Sequence, residues 1–246
     1  MKFYKLVDLS KIKVLSFDLD NTLYDCQSVI DAAEIWFSQY LCKEFGLGGQ
    51  YQSYEFWKRV KDECLVDDPK LVDDVTMLRA VSLVKAFEYL KMPLQGGITE
   101  ALKLVDIFIH KRSQGKVSKE VFDLLDKLYQ KYPLISVSNG NLDTNEINIT
   151  SYFKYDIRPN MHSLRRKPFE DMFKEACQKM KVQPDEVLHI GDDPLTDVYG
   201  AVQARCKCVW LRGGYTKVCP TESHLTSLPD IEIDNILELE DLLLKP

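Results

Sequence analysis

The chain has 246 residues, 45% of them hydrophobic and 28% charged, with a formal net charge of −6 and a pI near 5.4. That length allows a sizeable core and points to two domains or one domain with a large insertion, and the acidic balance argues against a general nucleic-acid binder. No stretch approaches the ~18 uninterrupted apolar residues of a membrane span, the N-terminal segment lacks the basic start and apolar run of a signal peptide, and an odd cysteine count of seven suits reduced thiols, so a cytoplasmic location is expected.

The segment "KIKVLSFDL" reads as a strand whose apolar members are Val14, Leu15 and Phe17. Helical patterning follows to about residue 112. "VIDAAEIWFSQYLCKEFG" places Ile30, Ala33, Phe37, Tyr40 and Leu41 on one stripe, with Gly46 suited to the helix end, and "YEFWKRVKDE", "LVDDVTMLRAVSLVKAFEYLK" and "ITEALKLVDIFIHK" read as three more helices. Helices without an intervening strand suggest a helical insertion.

After the polar stretch "KRSQGKVSKE" the pattern becomes alternating helix and strand. Ser118 is a candidate N-cap for the helix "SKEVFDLLDKLYQK", "YPLISVSNG" is a buried strand ending in a turn, and "KPFEDMFKEACQKMKV" is a helix with Pro168 near its first turn. The strand "VLHIGDD", a helix over "DVYGAVQAR" and the strand "KCVWL" come next, and the C-terminal segment reads as a short edge strand followed by a helix. Cys206 and Cys208 fall in that alternating "KCVWL" pattern, which favours a strand over a metal site. The βαβ order implies a parallel sheet covered by helices, with ligands at the carboxyl ends of its strands.

Acids gather at those ends. Asp18 and Asp20 close the first strand, where Asp20-Asn21 alone would also read as a turn. Asp192, Asp193 and Asp197 follow the strand "VLHIG", so one sheet edge collects three to five carboxylates whose repulsion must be offset. A hard divalent cation with oxygen ligands, Mg²⁺, meets that need, with Asp18, Asp192 and the backbone carbonyl of Asp20 as its expected ligands. Ser138 and Asn139 follow another strand and offer hydroxyl, amide and backbone N–H groups to phosphate oxygens, although a plain turn has the same composition. Lys167 opens the expected helix, where a cation opposes the helix dipole and an anionic partner would explain it.

In order, "DLDNT", "SVSNG", "KP" and "GDDPLTD" resemble the four motifs of the haloacid dehalogenase-like hydrolase superfamily. The resemblance implies an α/β fold: a Rossmann-like parallel sheet core over residues 1–23 and 113–246, with an inserted all-helical cap domain over residues 24–112. It implies Asp18 as a nucleophile that forms an aspartyl-phosphate, Asp20 as the general acid/base, and Lys167 as the cation that stabilises the nucleophile and the intermediate. It further implies Thr22, Ser138 and Asn139 as substrate-binding residues and Asp18, Asp20 and Asp192 as metal ligands, with Asp193 and Asp197 steadying the metal or Lys167. Dehalogenases of the superfamily lack the second aspartate and phosphatases have it, so Asp20 implies a phosphatase.

"MKFY", "DDVTMLR", "SNGN", "KPFEDMF", "LHIGDDPLTDV" and "CVWLR" also resemble the proteobacterial flavin-pathway phosphatases. That resemblance implies FMN or 5-amino-6-(5-phospho-ribitylamino)uracil as substrate. A sugar phosphate or phosphoglycolate is the alternative, and a non-catalytic binding protein of the same fold is a third reading. The expected partner is a small phosphate ester, with neither nucleic acid nor membrane involved. The insertion is rich in aromatic residues, among them Trp36, Phe37, Tyr40, Tyr51, Tyr54, Phe56 and Trp57, which would either stack on a ring or fill the insertion's own core. Asp25 and Arg79 are its polar candidates for substrate contact.

Overall fold

The computed structural model describes residues 1–215 and 225–245; Cys219 lies outside them. Among the described residues, seven strands form one sheet in the order β1-β7-β6-β5-β2-β3-β4. These are β1 (Lys2–Phe3), β2 (Val14–Phe17), β3 (Leu134–Val137), β4 (Phe153–Ile157), β5 (Val187–Gly191), β6 (Lys207–Leu211) and β7 (Ile231–Ile233). All neighbouring pairs are parallel except β1 with β7. The expected α/β core is therefore present, with one correction at its margin. The C-terminal strand β7 is not an edge, because β1 pairs with Glu232 and Ile231 outside it and leaves Ile231 and Ile233 fully buried.

Burial on both faces explains why the central strands read as apolar runs. Every residue of β2, β3 and β5 is buried. One face of the sheet meets α5 (Lys119–Lys131) and α7 (Glu238–Leu243), where Val121, Leu124, Leu125 and Leu128 recur at helical spacing and join Leu15, Phe17 and Leu239. Ser118 caps α5, its hydroxyl accepting from the Val121 N–H at 3.3 Å. On the other face Met172, Phe173 and Ala176 of α6 (Asp171–Met180) pack with Val14, Ile135 and Trp210.

Between β2 and α5 lie α1 (Gln27–Glu44), α2 (Tyr54–Asp67), α3 (Val75–Tyr89) and α4 (Gly97–Arg112). The expected single helix over 71–91 is divided at Asp74, whose carboxylate accepts from the Met77 N–H at 2.9 Å and so starts α3. These four helices enclose a cluster of their own, including Phe37, Leu41, Phe56, Trp57, Phe87 and Phe108. Each fully buried side chain of this size contributes about 1.5–3 kcal/mol. Phe37, Phe56 and Trp57 are thus core, with Trp36, Tyr40 and Tyr51 packed against it. The insert meets the rest of the chain through Asn141 Nδ2, which donates to Thr76 Oγ1 at 3.2 Å, and the Arg166 N–H, which donates to Asp73 Oδ1 at 2.8 Å.

One sequence expectation fails here. Lys167 is not in the first turn of a helix, since α6 begins at Asp171 and residues 166–169 form a turn closed by the Phe169 N–H on the Arg166 carbonyl at 3.0 Å. Pro168 disfavours helical backbone at the residue before it, so Lys167 lies in the loop. The supposed conflict with a helix dipole does not exist.

Candidate active site

The order of strands sets the site. From β2 the chain builds β3 and β4 on one side and then β5, β6 and β7 on the other, so a crevice opens beyond the carboxyl ends of β2 and β5. Phe17 pairs with Ile190, and the Asp18 N–H continues the ladder to the Ile190 carbonyl at 2.9 Å. Asp18 and Asp192 leave the sheet side by side in consequence. On the other flank the Ser138 N–H reaches the Ile157 carbonyl at 3.2 Å, which carries β3 into the turn of Asn139 and Gly140. Asp18, Asp20, Ser138, Asn139, Lys167 and Asp192 all line one pocket of about 240 Å³, together with Asn21, Gly140, Asp193, Thr196 and Asp197.

Lys167 is the charge at its centre. It is 1% exposed, and its Nζ donates to Asp18 Oδ1 at 2.8 Å and to Asp197 Oδ1 at 2.5 Å. Burial alone would lower its pKa, but the two carboxylates outweigh burial and hold it above the ordinary lysine range. Asn139 fixes the lysine's backbone from both sides: its Oδ1 accepts from the Lys167 N–H at 2.8 Å and its Nδ2 donates to the Lys167 carbonyl at 3.0 Å.

The acids divide by their partners. Asp197 is buried, which alone would raise its pKa, yet Lys167 and His189 hold it below the carboxylate range. Asp18 is pushed up to about 7, chiefly by burial, with Lys167 opposing and Asp197 and Asp20 adding repulsion. Asp192 is pushed up to about 8 by burial and by the neighbouring Asp197 and Asp18. Asp18, Asp192 and Asp197 each bring an oxygen within 4.8 Å of the others. With Asp197 taken up by Lys167, His189 and the Asp193 N–H, the oxygens of Asp18 and Asp192 are the ones short of positive charge.

One expected site residue takes another place. Thr22 is fully buried behind the pocket, where its hydroxyl donates to Asp192 Oδ1 at 3.2 Å. Asp193 lines the pocket and also caps the π-helical turn Pro194–Tyr199, accepting from the Leu195 and Thr196 N–H groups at 2.9 and 2.6 Å. That turn swings Asp197 back toward Lys167. Of the insert's polar candidates, Arg79 is committed to Glu34, with bonds of 2.9 and 2.5 Å, and lies 3.5 Å from the centre of the Phe108 ring. Asp25 is exposed and accepts from the Ser28 hydroxyl at 3.2 Å.

Sequence reasoning missed three residues. His189 is fully buried in β5, with Nδ1 3.0 Å from Ser16 Oγ and Nε2 3.1 Å from Asp197 Oδ1. Burial lowers its pKa, and the neutral ring can accept from Ser16 while donating to Asp197. Tyr24 and Arg112 bind opposite oxygens of Asp20, the tyrosine through its hydroxyl and the arginine through Nη2 at 2.8 Å. A histidine inside an apolar run was the only one of these visible as unusual in the sequence.

Residues 12–205 match the family model described as haloacid dehalogenase-like hydrolase. The chain belongs to the haloacid dehalogenase-like hydrolases. It is 31% identical to the 5-amino-6-(5-phospho-D-ribitylamino)uracil phosphatase YigB of Escherichia coli (strain K12), over 99% of this chain and 100% of that one. It is 24% identical to the human N-acylneuraminate-9-phosphatase over 96% of this chain and 95% of its relative. Among solved structures, one titled 2-haloacid dehalogenase from Pseudomonas syringae pv. Tomato DC3000 superposes with a TM-score of 0.82 at 28% identity, covering 95% of this chain and 98% of that one. Within the family this chain is a phosphatase.

Proposed function

We propose that the chain is a Mg²⁺-dependent phosphatase that works through an aspartyl-phosphate on Asp18 and acts on a small phosphate monoester, 5-amino-6-(5-phospho-ribitylamino)uracil or FMN, in the cytoplasm. The observation that carries the chemistry is the meeting of Asp18, Asp20 and Lys167 in one pocket, with Lys167 2.8 Å from Asp18. The substrate rests on the full-length relative that acts on the ribitylaminouracil phosphate.

The donor set fits a hard cation. Asp18 and Asp192 are buried carboxylates whose charged forms lack a sufficient counter-charge in the chain itself, and oxygen donors are what Mg²⁺ prefers. Asp18, Asp192 and the Asp20 carbonyl would hold it, and when bound it would offset their charge and that of the incoming phosphate. Two like charges at 4 Å repel by about 4 kcal/mol at an effective dielectric of about 20, so a carboxylate meets phosphate only where cations screen it.

The chain's residues then divide the work. Lys167 holds Asp18 in place and balances its charge, and Asn139 holds Lys167. Ser138 and the N–H groups of the following turn receive phosphate oxygens. Asp18 attacks phosphorus, while Asp20 protonates the departing oxygen and afterwards takes a proton from the water that releases phosphate. Asp197, His189 and Ser16 form a buried chain behind Lys167 that keeps its ammonium turned toward Asp18.

Residues 24–112 are read as a cap domain over a core of 1–23 and 113–246. In its favour, the four helices have a hydrophobic cluster of their own and hydrogen-bond to the loops after β3 and β4. A sugar phosphate or phosphoglycolate is the second reading, favoured by the pocket being lined without any insert residue, so that nothing in it selects a flat ring. The test is phosphate release from FMN, the ribitylaminouracil phosphate, phosphoglycolate and sugar phosphates, with Mg²⁺ or EDTA. Turnover that needs Mg²⁺ and favours the flavin compounds supports the proposal; preference for a sugar phosphate moves the substrate, and turnover undiminished by EDTA removes the metal.

A further inference from the structure

Arg112 ends α4, where the chain leaves the helical insert and returns toward the sheet. A cation at a helix C-terminus is ordinary when it reaches solvent. This one is 2% exposed, and among the described residues its guanidinium hydrogen-bonds to Asp20 Oδ2, at 2.8 Å. Its Nη1 is the one buried side-chain nitrogen or oxygen among the described residues without a partner. A guanidinium buried only for packing should have its donors met, because each unmet one costs about 1–3 kcal/mol.

The rest of the surroundings converge on the same carboxylate. Asp20 Oδ1 accepts from the hydroxyl of Tyr24, which is 1% exposed. A Cβ at Gly140 would stand 2.3 Å from Asp20 Oδ2, and one at Gly115 would stand 2.6 Å from the Tyr24 ring, so both positions need the bare glycine backbone. Ser113, fully buried beside Arg112, accepts from the Asp143 N–H at 2.9 Å and ties the returning chain to the loop after β3. The exit from the insert thus delivers a buried cation to one acid and leaves that acid no slack.

We infer that Arg112 is the positioning residue for Asp20, holding its carboxyl group with Tyr24 so that both proton transfers are made from a fixed point. This rests on the acid–base role proposed above for Asp20. In the first step an Asp18 oxygen bonds to phosphorus as the ester O–P bond breaks, and the proton of Asp20 goes to the departing alkoxide. In the second, water oxygen bonds to phosphorus as the Asp18 O–P bond breaks, and the water's proton returns to Asp20. Arg112 and Tyr24 hold that carboxyl group from both oxygens, so it stands in the same place for the second transfer as for the first. A misplacement of about 1 Å at such a group lowers rates by about 100-fold.

Leaving groups test this. p-Nitrophenolate departs without a proton, whereas the alkoxide of a primary alkyl phosphate needs one. We would measure kcat/KM, which reports formation of the aspartyl-phosphate, on p-nitrophenyl phosphate and on FMN and ribose 5-phosphate for the wild type, Asp20→Asn, Arg112→Gln, Arg112→Lys and Tyr24→Phe. Arg112→Gln should lose about 100-fold on the alkyl phosphates and less than about threefold on the aryl one, with the same skew as Asp20→Asn. Arg112→Lys keeps the charge and should show a smaller skew, and Tyr24→Phe a skew of the same sign. Equal losses on aryl and alkyl esters in the Arg112 variants would make Arg112 a packing residue and overturn the inference. Should Arg112→Gln fail to fold, an unmoved ratio in Arg112→Lys and Tyr24→Phe would do the same. A flat response of Asp20→Asn would instead remove the acid–base reading of Asp20.

Discussion

In the helical insert Glu34 is closed by two bonds from Arg79, with Lys61 at 3.7 Å, while at the sheet edge Asp18 and Asp197 share the ammonium of Lys167 and Asp192 stands beside them without a bond to it. Both are buried groups of charge, and their balance differs. The insert has one acid between two cations and can close on itself. The sheet edge has acids in excess, and the excess is visible in Asp18 and Asp192, pushed up to about 7 and about 8. Burying an unmatched charge is expensive, so a fold keeps such an arrangement where something from outside completes it. Matched burial belongs to architecture and unmatched burial to chemistry.

Substitutions at the two places should therefore separate activity from stability. The largest effect expected is at Asp18→Asn, which removes the attacking oxygen: turnover should fall at least about 1000-fold. Its thermal midpoint without Mg²⁺ should hold or rise, since one crowded acid is gone. Lys167→Met should lose about 100-fold or more in kcat. It should also lose about 3–5 kcal/mol in urea unfolding, because Asp18 and Asp197 are left without their cation. Glu34→Gln tests the other side of the comparison. It should cost about 3 kcal/mol of stability through the stranded Arg79, and kcat on p-nitrophenyl phosphate should stay within about twofold. A collapse of activity in folded Glu34→Gln would erase the distinction between the two places.

The smallest effect expected is a pH dependence of metal stabilisation. Asp18 and Asp192 have folded pKa values of about 7 and about 8 against 3.8 as free groups, so between those values the folded protein holds more protons than the unfolded chain. Stability without metal must then fall as pH rises from about 4 to about 8. Mg²⁺ needs the charged carboxylates, so its gain in Tm should be slight at pH ~5.5 and grow to several degrees at pH ~8.5. An equal gain at both would mean that the cation binds elsewhere.

The fold was legible where burial makes a strand continuous. β2, β3 and β5 are buried throughout and mostly apolar, each runs into turn residues, and the three loops that carry Asp18 and Asp20, Ser138 and Asn139, and Asp192 follow from those ends. β4 was not read although Phe153, Tyr155 and Ile157 alternate with Lys154 and Asp156 as in a half-buried edge strand, because the run is only five residues long. β1 has only two residues and exists through β7, from the far end of the chain. The start of α6 was misread because Pro168 is tolerated in a first turn, yet here it precedes the helix. At the site, sequence motifs supplied the residues that meet phosphate but not those that hold them. Arg112 is 92 positions from Asp20, and Ser16 is 173 from His189, so only the folded sheet reveals these pairs. Thr22 carries a hydroxyl near the nucleophile in sequence, and nothing local says that it faces Asp192.

The most direct test is to quench the protein in acid during turnover of p-nitrophenyl phosphate with Mg²⁺, using Asp20→Asn to slow release, and to map its peptides by mass. One added phosphoryl group on Asp18 is the expected result, absent in Asp18→Asn. Steady turnover with the phosphoryl group on another residue, or undiminished turnover by Asp18→Asn, would contradict the assignment of Asp18 as nucleophile.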